Sequence, residues 1–254
     1  MIETMIADLH QEIQMAAGNQ TLKPDRKFHK DEEYLCYGLK ATDFYNIMKR
    51  FDSRFLTLTL EKRLEFATAL LSENIGELGH AGIHVVAISV LELLPEQFSI
   101  LDYLAEHFRS WSHVDHLCLE VMQPLLPKYT KETLALLESW NRSSNRWKRR
   151  ASVVTFVRKV GKSGEFSDDV LRLCDNLIWD GEDTVQKGVG WVLKDNLRSA
   201  PDRILPYIKR LREQGVSSTI TLYAIRGLKT AERKEILAIK PKRSNQLRIN
   251  SSGR

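Results

Sequence analysis

Apolar residues recur at helical spacing along almost the whole chain. Leu60, Leu64, Ala67 and Leu71 form one stripe, and Leu117, Val121 and Leu125 form another. Leu134 and Leu137, then Val170, Leu173 and Leu177, then Ile204, Ile208 and Leu211 continue the pattern. Punctuation falls between the stripes, at Pro95, at Pro124 and Pro127, from Gly161 to Gly164, at Asp180-Gly181, at Ala200-Pro201 and at Gln214-Gly215. The pattern predicts helices of roughly 12 to 18 residues joined by short turns. No segment alternates convincingly between apolar and polar residues, so the predicted class is all-α.

The predicted helices pair. Segments around Asp115, Arg150 and Trp191 lie 35 and 41 residues apart, close to the period of roughly 40 residues in HEAT and armadillo repeats. An α-solenoid of helix pairs is therefore expected, a superhelix whose equivalent helices line one concave groove. Residues 1–239 read as a single HEAT-like repeat domain. Ala17 to Pro24 reads as a loop after a first helix. Residues 240–254 are basic and poor in apolar residues, and read as a disordered tail.

Composition narrows the class. The chain has 254 residues and 43% hydrophobic content, enough for a sizeable core. No apolar run is long enough for a membrane span, and the first residues lack a basic region followed by an apolar stretch, as a secretory signal needs. Three distant cysteines give neither a disulfide framework nor a zinc spacing. A cytoplasmic location follows as the expectation. The net charge of +5 hides an asymmetry: residues 141–254 hold 25 Lys/Arg against 12 Asp/Glu, a balance of +13, and residues 1–140 hold 13 against 21, a balance of −8. Such a division fits a polyanion bound by the basic half, and equally a solvated basic face with a tail.

Candidate chemistry gathers in three segments. In Ser110-Trp-Ser-His-Val-Asp115, one helical turn puts the Trp111 indole beside the Asp115 carboxylate. Alone, such an aspartate is a surface residue or cap more often than a catalyst. An adjacent indole excludes water and strengthens its field. In Arg146-Trp-Lys-Arg-Arg150, Arg146 and Arg150 share a helical face while Arg149 points elsewhere. A guanidinium fork suits phosphate. In Gln186-Lys-Gly-Val-Gly-Trp191, two glycines weaken a helix by about 1 kcal/mol each and permit close approach of backbone or ligand beside Trp191. Arg109, Arg146, Lys148, Arg149, Lys187 and Lys194 would widen an electropositive groove. Single tryptophans fill cores more often than sites, and a basic run is often only a solvated face.

Other motifs lead nowhere. Gly161-Lys-Ser163 ends like a phosphate-binding loop, but Phe156 stands where the first glycine must be. His80 and His84 have metal spacing on a helix, but Gly79 and Gly82 make the segment a weak one. His113 and His116 share a face only with each other. No metal or cofactor is expected, and no serine or cysteine carries a nucleophile signature.

Four stretches together resemble the AlkD-like DNA alkylation repair family, bacterial DNA glycosylases of HEAT-like repeats: Tyr34-Leu-Cys-Tyr-Gly-Leu39, Ser110 to Asp115, Trp147-Lys-Arg-Arg150-Ala-Ser, and Gln186 to Leu193. Each is weak alone, and the ordered set is specific. It spans roughly residues 30–230. The resemblance implies release of cationic N3- and N7-alkylated purines from duplex DNA, without metal or cofactor, by a monomer that associates with the nucleoid when bound to DNA. It makes Asp115 the catalytic carboxylate, sets Trp111 and Trp191 beside the lesion's deoxyribose, and gives Arg150 the neighbouring phosphate. The position after Trp111 is often acidic in the family, and here it is Ser112. His29 falls near an expected aromatic contact.

Two readings of other classes stand beside this one. One is a non-catalytic HEAT-like module that binds DNA structure. The other is a protein-interaction scaffold, the usual role of α-solenoids.

Overall fold

The apolar stripes become helices stacked in an ordered row. A computed structural model describes residues 2–18, 20–24 and 34–241. The helices run α1 (Ile2–Ala17), α2 (Ala41–Phe55), α3 (Leu60–Ser72), α4 (Gly76–Ile88), α5 (Ser99–Glu106), α6 (Trp111–Leu117), α7 (Gln123–Lys128) and α8 (Thr130–Asn141). They continue as α9 (Arg146–Val154), α10 (Arg158–Ser163), α11 (Ser167–Asp175), α12 (Asp183–Asn196), α13 (Pro201–Gln214), α14 (Ser218–Ala224) and α15 (Thr230–Ala238). The class is all-α, as the periodicity predicts. Strand is confined, among the described residues, to the pairing of Lys23–Pro24 (β1) with Leu35–Cys36 (β2), and a lone bridge from Leu35 to Ile75. His29 and the tail from residue 242 lie outside the described residues.

The repeat is sharper than sequence spacing suggests. Helices α2, α4, α6, α9, α12 and α14 begin at residues 41, 76, 111, 146, 183 and 218, at intervals of 35, 35, 35, 37 and 35. Each touches the next in that order. Partner helices pack behind them, α1 on α2, α3 on α4, α8 on α9, α11 and α13 on α12. The fifth residues of the row are Tyr45, His80, Asp115, Arg150, Lys187 and Leu222. Trp191 is one turn beyond the position in register with Asp115 and Arg150, which is why the sequence interval came out at 41.

Several helices are shorter than the predicted 12 to 18 residues, and two expected breaks are absent. Pro124 and Pro127 lie inside α7. Between α6 and α7 the chain makes a π turn, Cys118–Met122, where the Gln123 amide bonds to the Cys118 carbonyl. Pro124 then occupies the opening of α7, where its missing N–H is tolerated, so the helical path continues through Lys128. π turns of this kind are frequent at functional sites.

The core follows the stripes with one shift. Leu117, Val121, Leu125, Val170, Leu173, Ile204, Ile208 and Leu211 are buried as expected. In α3, however, the fully covered residues are Phe66, Ala67 and Leu70, while Leu60 and Leu64 are only partly covered. Arg63 is buried there as well, held by Glu92 and Ser89. Ala67 and Leu71 of the predicted stripe are buried, and Phe66 and Leu70 take the places expected of Leu60 and Leu64.

Candidate active site

Three consecutive helices of the row bring the site together. Ser110 caps α6, its Oγ accepting the Ser112 amide at 3.0 Å. This fixes Trp111 as the first helical residue, 38% exposed. Asp115 follows one turn later. Asn145 caps α9 by accepting the Trp147 amide at 2.8 Å, which sets the phase of Arg150. The two side chains meet: Arg150 Nε and Nη2 donate to Asp115 Oδ1 at 3.1 and 2.9 Å, and Nη2 to Oδ2 at 3.2 Å. Arg150 Nη1 donates to the Thr184 carbonyl at the start of α12, at 2.7 Å. Gly188 of α12 faces this pair, where a Cβ would lie 3.3 to 3.5 Å from Val154, Val153 and Arg150 side-chain atoms.

The pair is largely removed from water, with side-chain exposures of 6% for Arg150 and 14% for Asp115. Burial pushes the Asp115 carboxyl above its ordinary range, against the opposing pull of Arg150 and, more weakly, Arg158. The carboxylate is thus desolvated, and a new positive charge beside it would be strongly stabilised.

Arg158 is a residue that sequence reasoning missed. It is exposed, and its backbone is left-handed at φ 52°, a conformation that costs a non-glycine residue roughly 1 kcal/mol or more. Surrounding groups hold it there. Its amide donates to Asp195 Oδ2 at 2.7 Å. Gln123 Nε2 donates to the carbonyls of Thr155 and Val157 at 3.0 and 2.8 Å, and Asn196 Nδ2 to that of Phe156 at 3.1 Å. The guanidinium stands over the Trp191 ring at 5.6 Å. In sequence, Phe156-Val-Arg158 resembles a continuing helix, and nothing local signals the sharp turn.

The other predicted cations are differently placed. Lys148 is buried and bound by Asp102 and Glu106 at 3.0 and 2.7 Å. Arg149 Nε donates to buried Asp180 at 2.6 Å, and Nη1 to the carbonyls of Ser143 and Ser144. Both hold packed elements together, contrary to the expectation of a basic run widening the groove, because α5 supplies two acids to Lys148 and the loops around Ser143 and Asp180 supply carbonyls and an acid to Arg149. Arg146 lies over Trp147 and 3.6 Å from Glu182. Lys187 pairs with Asp183 on exposed surface, and Lys194 with Asp195. Arg109 Nη1 donates to the Phe108 carbonyl.

Histidines distant in sequence meet on the other side of Asp115. His80 Nδ1 is 3.1 Å from His116 Nδ1, and His80 Nε2 is 3.1 Å from Ser112 Oγ. His113 Nε2 lies 2.9 Å from the Gly76 carbonyl, while His84 pairs with Asp52. Burial lowers His116 to about 3, so it is neutral. Among the described residues no group of three or more His, Cys, Asp or Glu could hold a metal ion. Ser112, in the position where the resemblance leads one to expect an acid, also bonds to Ser110 Oγ at 2.7 Å.

A family model described as DNA alkylation repair enzyme matches residues 9–228. No curated protein matches. Among solved structures, a predicted DNA alkylation repair enzyme from Enterococcus faecalis superposes with a TM-score of 0.69 at 16% identity, covering 84% of this chain and 100% of its own. The smu.31 protein of Streptococcus mutans UA159 superposes with a TM-score of 0.55 at 18% identity, covering 74% of this chain and 98% of its own. At such identities these two establish the helical repeat fold alone.

Proposed function

The chain belongs to the DNA alkylation repair enzyme family, and on that premise we propose that it is a monofunctional DNA glycosylase for cationic N3- and N7-alkylated purines in duplex DNA. The observation that carries the reading is Asp115, a desolvated carboxylate one turn after an exposed indole on α6 and paired with a guanidinium from α9, the next helix of the row. A purine alkylated at N3 or N7 already bears positive charge and leaves as a neutral base. It needs no protein acid. What remains is to stabilise the cationic sugar and to direct a water to it, and one anion does both. Two unit charges 4 Å apart in a partly buried site interact by about 4 kcal/mol, a useful share of a glycosylase barrier. In this reading Trp111 and Trp191 lie against the deoxyribose.

Arg150 holds Asp115 in place through three contacts and has little exposure. Its role is to orient the carboxylate, with a remaining Nη1 hydrogen for phosphate. Arg158 is the exposed cation of the site, and it takes the phosphate beside the lesion. When a backbone phosphodiester shares these two guanidinium groups with Asp115, the positive and negative charges balance, and the site no longer repels a cationic substrate. No lyase step is implied for Lys187, which pairs with Asp183 on the surface.

A second reading has one observation in its favour. A carboxylate neutralised by arginine is also what a purely structural ion pair looks like, which suits a module that binds DNA structure without turnover. Incubation with methylated duplex DNA separates the two. Free 3-methyladenine or 7-methylguanine with an abasic strand supports the glycosylase. A preference for branched over alkylated duplex, with no free base at enzyme excess, supports the module and defeats the glycosylase.

A further inference from the structure

The turn that carries Arg158 is fastened to the helix that carries Trp191. Asp195, one turn beyond Trp191 on α12, accepts the Arg158 amide, and Asn196 beside it donates to the Phe156 carbonyl. Just past the turn, α10 lies tight against the same helix. A Cβ on Gly161 would fall 3.0 Å from Asn196 Nδ2 and 3.1 Å from Asp195 Cβ, and Ser199 Oγ donates to the Gly161 carbonyl at 2.6 Å. The Arg158 backbone therefore keeps a fixed place relative to the indole. Only its side-chain torsions are left to carry the guanidinium elsewhere, and exposed side chains change rotamer within nanoseconds.

That guanidinium occupies ground a substrate needs. Trp191 packs in part on the core, and the guanidinium of exposed Arg158 stands over its ring, 5.6 Å from the centroid. The covered face is thus the solvent side, the one a deoxyribose would meet. Burial raises the Asp115 carboxyl, and after Arg150 the charge that opposes this is Arg158. A positive group that meets both an indole face and the field of that carboxylate has the charge and the position of a cationic substrate. The contact is also weak enough to yield. A cation over an indole at an exposed site shifts an equilibrium by roughly two- to five-fold, whereas a guanidinium fork on phosphate is charge-assisted and stronger.

We infer that Arg158 is a positioning residue that covers the sugar-facing side of Trp191 in the free protein and leaves it for a backbone phosphate when DNA binds. The indole is bared only once the backbone is engaged, so a free cationic base, which brings no phosphate, meets a covered ring. The inference rests on DNA as the partner of this site, and it does not require base release. The chain has five tryptophans, so labelling with 5-fluorotryptophan gives five fluorine NMR signals, and Trp191→Phe identifies one of them. Wild type is compared with Arg158→Gln, each free and each saturated with a duplex carrying a stable abasic analogue. Arg158 is exposed, and the two proteins should melt alike. The Trp191 signals should differ between the free proteins, and the difference should close in the complexes. A difference that persists in the complexes would place the guanidinium still on the ring, and equal signals in the free proteins would mean that it never covers it. Either result overturns the inference and leaves the repair reading standing. If methylated duplex binds but yields no free base, the glycosylase reading fails and the signals still decide this one. If no duplex binds at all, both fail.

Discussion

Replacing Arg150 with methionine leaves Asp115 buried without its counter-charge. Breaking a buried pair by removing one partner costs roughly 3 to 5 kcal/mol. Asp115 keeps 14% side-chain exposure, so the low end, about 3 kcal/mol at neutral pH, is expected. For a chain of this size each kcal/mol lowers Tm by roughly 2 to 4 °C, giving a fall of about 6 to 12 °C. The pH dependence is the sharper signature. Burial already holds the Asp115 carboxyl above its ordinary range, and Arg150 is the main group pulling it down. Without Arg150 the folded-state carboxyl rises further. A carboxyl raised by folding is harmless below its unfolded pKa of roughly 4, and it costs stability as pH climbs through the folded value. Arg150→Met should therefore lie nearest wild type at pH 4.5 and diverge towards pH 7.5. Replacing both residues, as Asp115→Leu with Arg150→Met, should recover much of the loss. Thermal or urea melts across that range supply the assay. An equal deficit at every pH, or a double variant as unstable as the single one, would refute the electrostatic account of the pair.

Arg158→Gly should raise stability by about 0.5 to 1 kcal/mol by relieving the left-handed backbone, yet weaken DNA binding and reduce the salt-dependence slope by about one. Denaturant melts and salt titrations measure both, and unchanged salt dependence would remove Arg158 from the phosphate contacts. Gln123→Leu strips two buried carbonyls of their donor and should cost about 1 to 3 kcal/mol. It should also slow base release more than it weakens DNA binding, which single-turnover kinetics resolve. Gly190→Ala puts a Cβ 2.6 Å from Tyr223 Cβ and 2.9 Å from the Ile220 carbonyl. It should destabilise by roughly 1 to 3 kcal/mol, and a melt equal to wild type would show that α12 and α14 separate easily.

Fold class, helix pairing and the buried stripes of α11 and α13 were legible because each is a local periodicity. The same reasoning placed Ala67 and Leu71 of α3 but missed Phe66, Leu70 and Arg63, the last buried with Glu92, 29 residues away. It broke the chain at Pro124, because a π turn depends on backbone bonding that no single residue announces. At the site, Asp115, Trp111 and Trp191 could be picked out as residue types in order. Their partners could not. Lys148 and Arg149 looked like free cations until Asp102, Glu106 and Asp180 were brought to them by neighbouring helices and loops. Arg158 was invisible for the same reason: its conformation is imposed by Gln123, Asp195 and Asn196 from separate elements. His80 and His116, 36 residues apart, meet only because the row has a period of 35 between α4 and α6.

The most direct test of the central claim is release of free base from methylated duplex DNA under single-turnover conditions, comparing wild type with Asp115→Asn. The substitution keeps size and an oxygen for the two Arg150 bonds to Oδ1, gives up the one to Oδ2, and removes the negative charge. The account predicts base release by wild type, and loss of release in Asp115→Asn with most DNA affinity retained. Equal rates of release from the two proteins would contradict it.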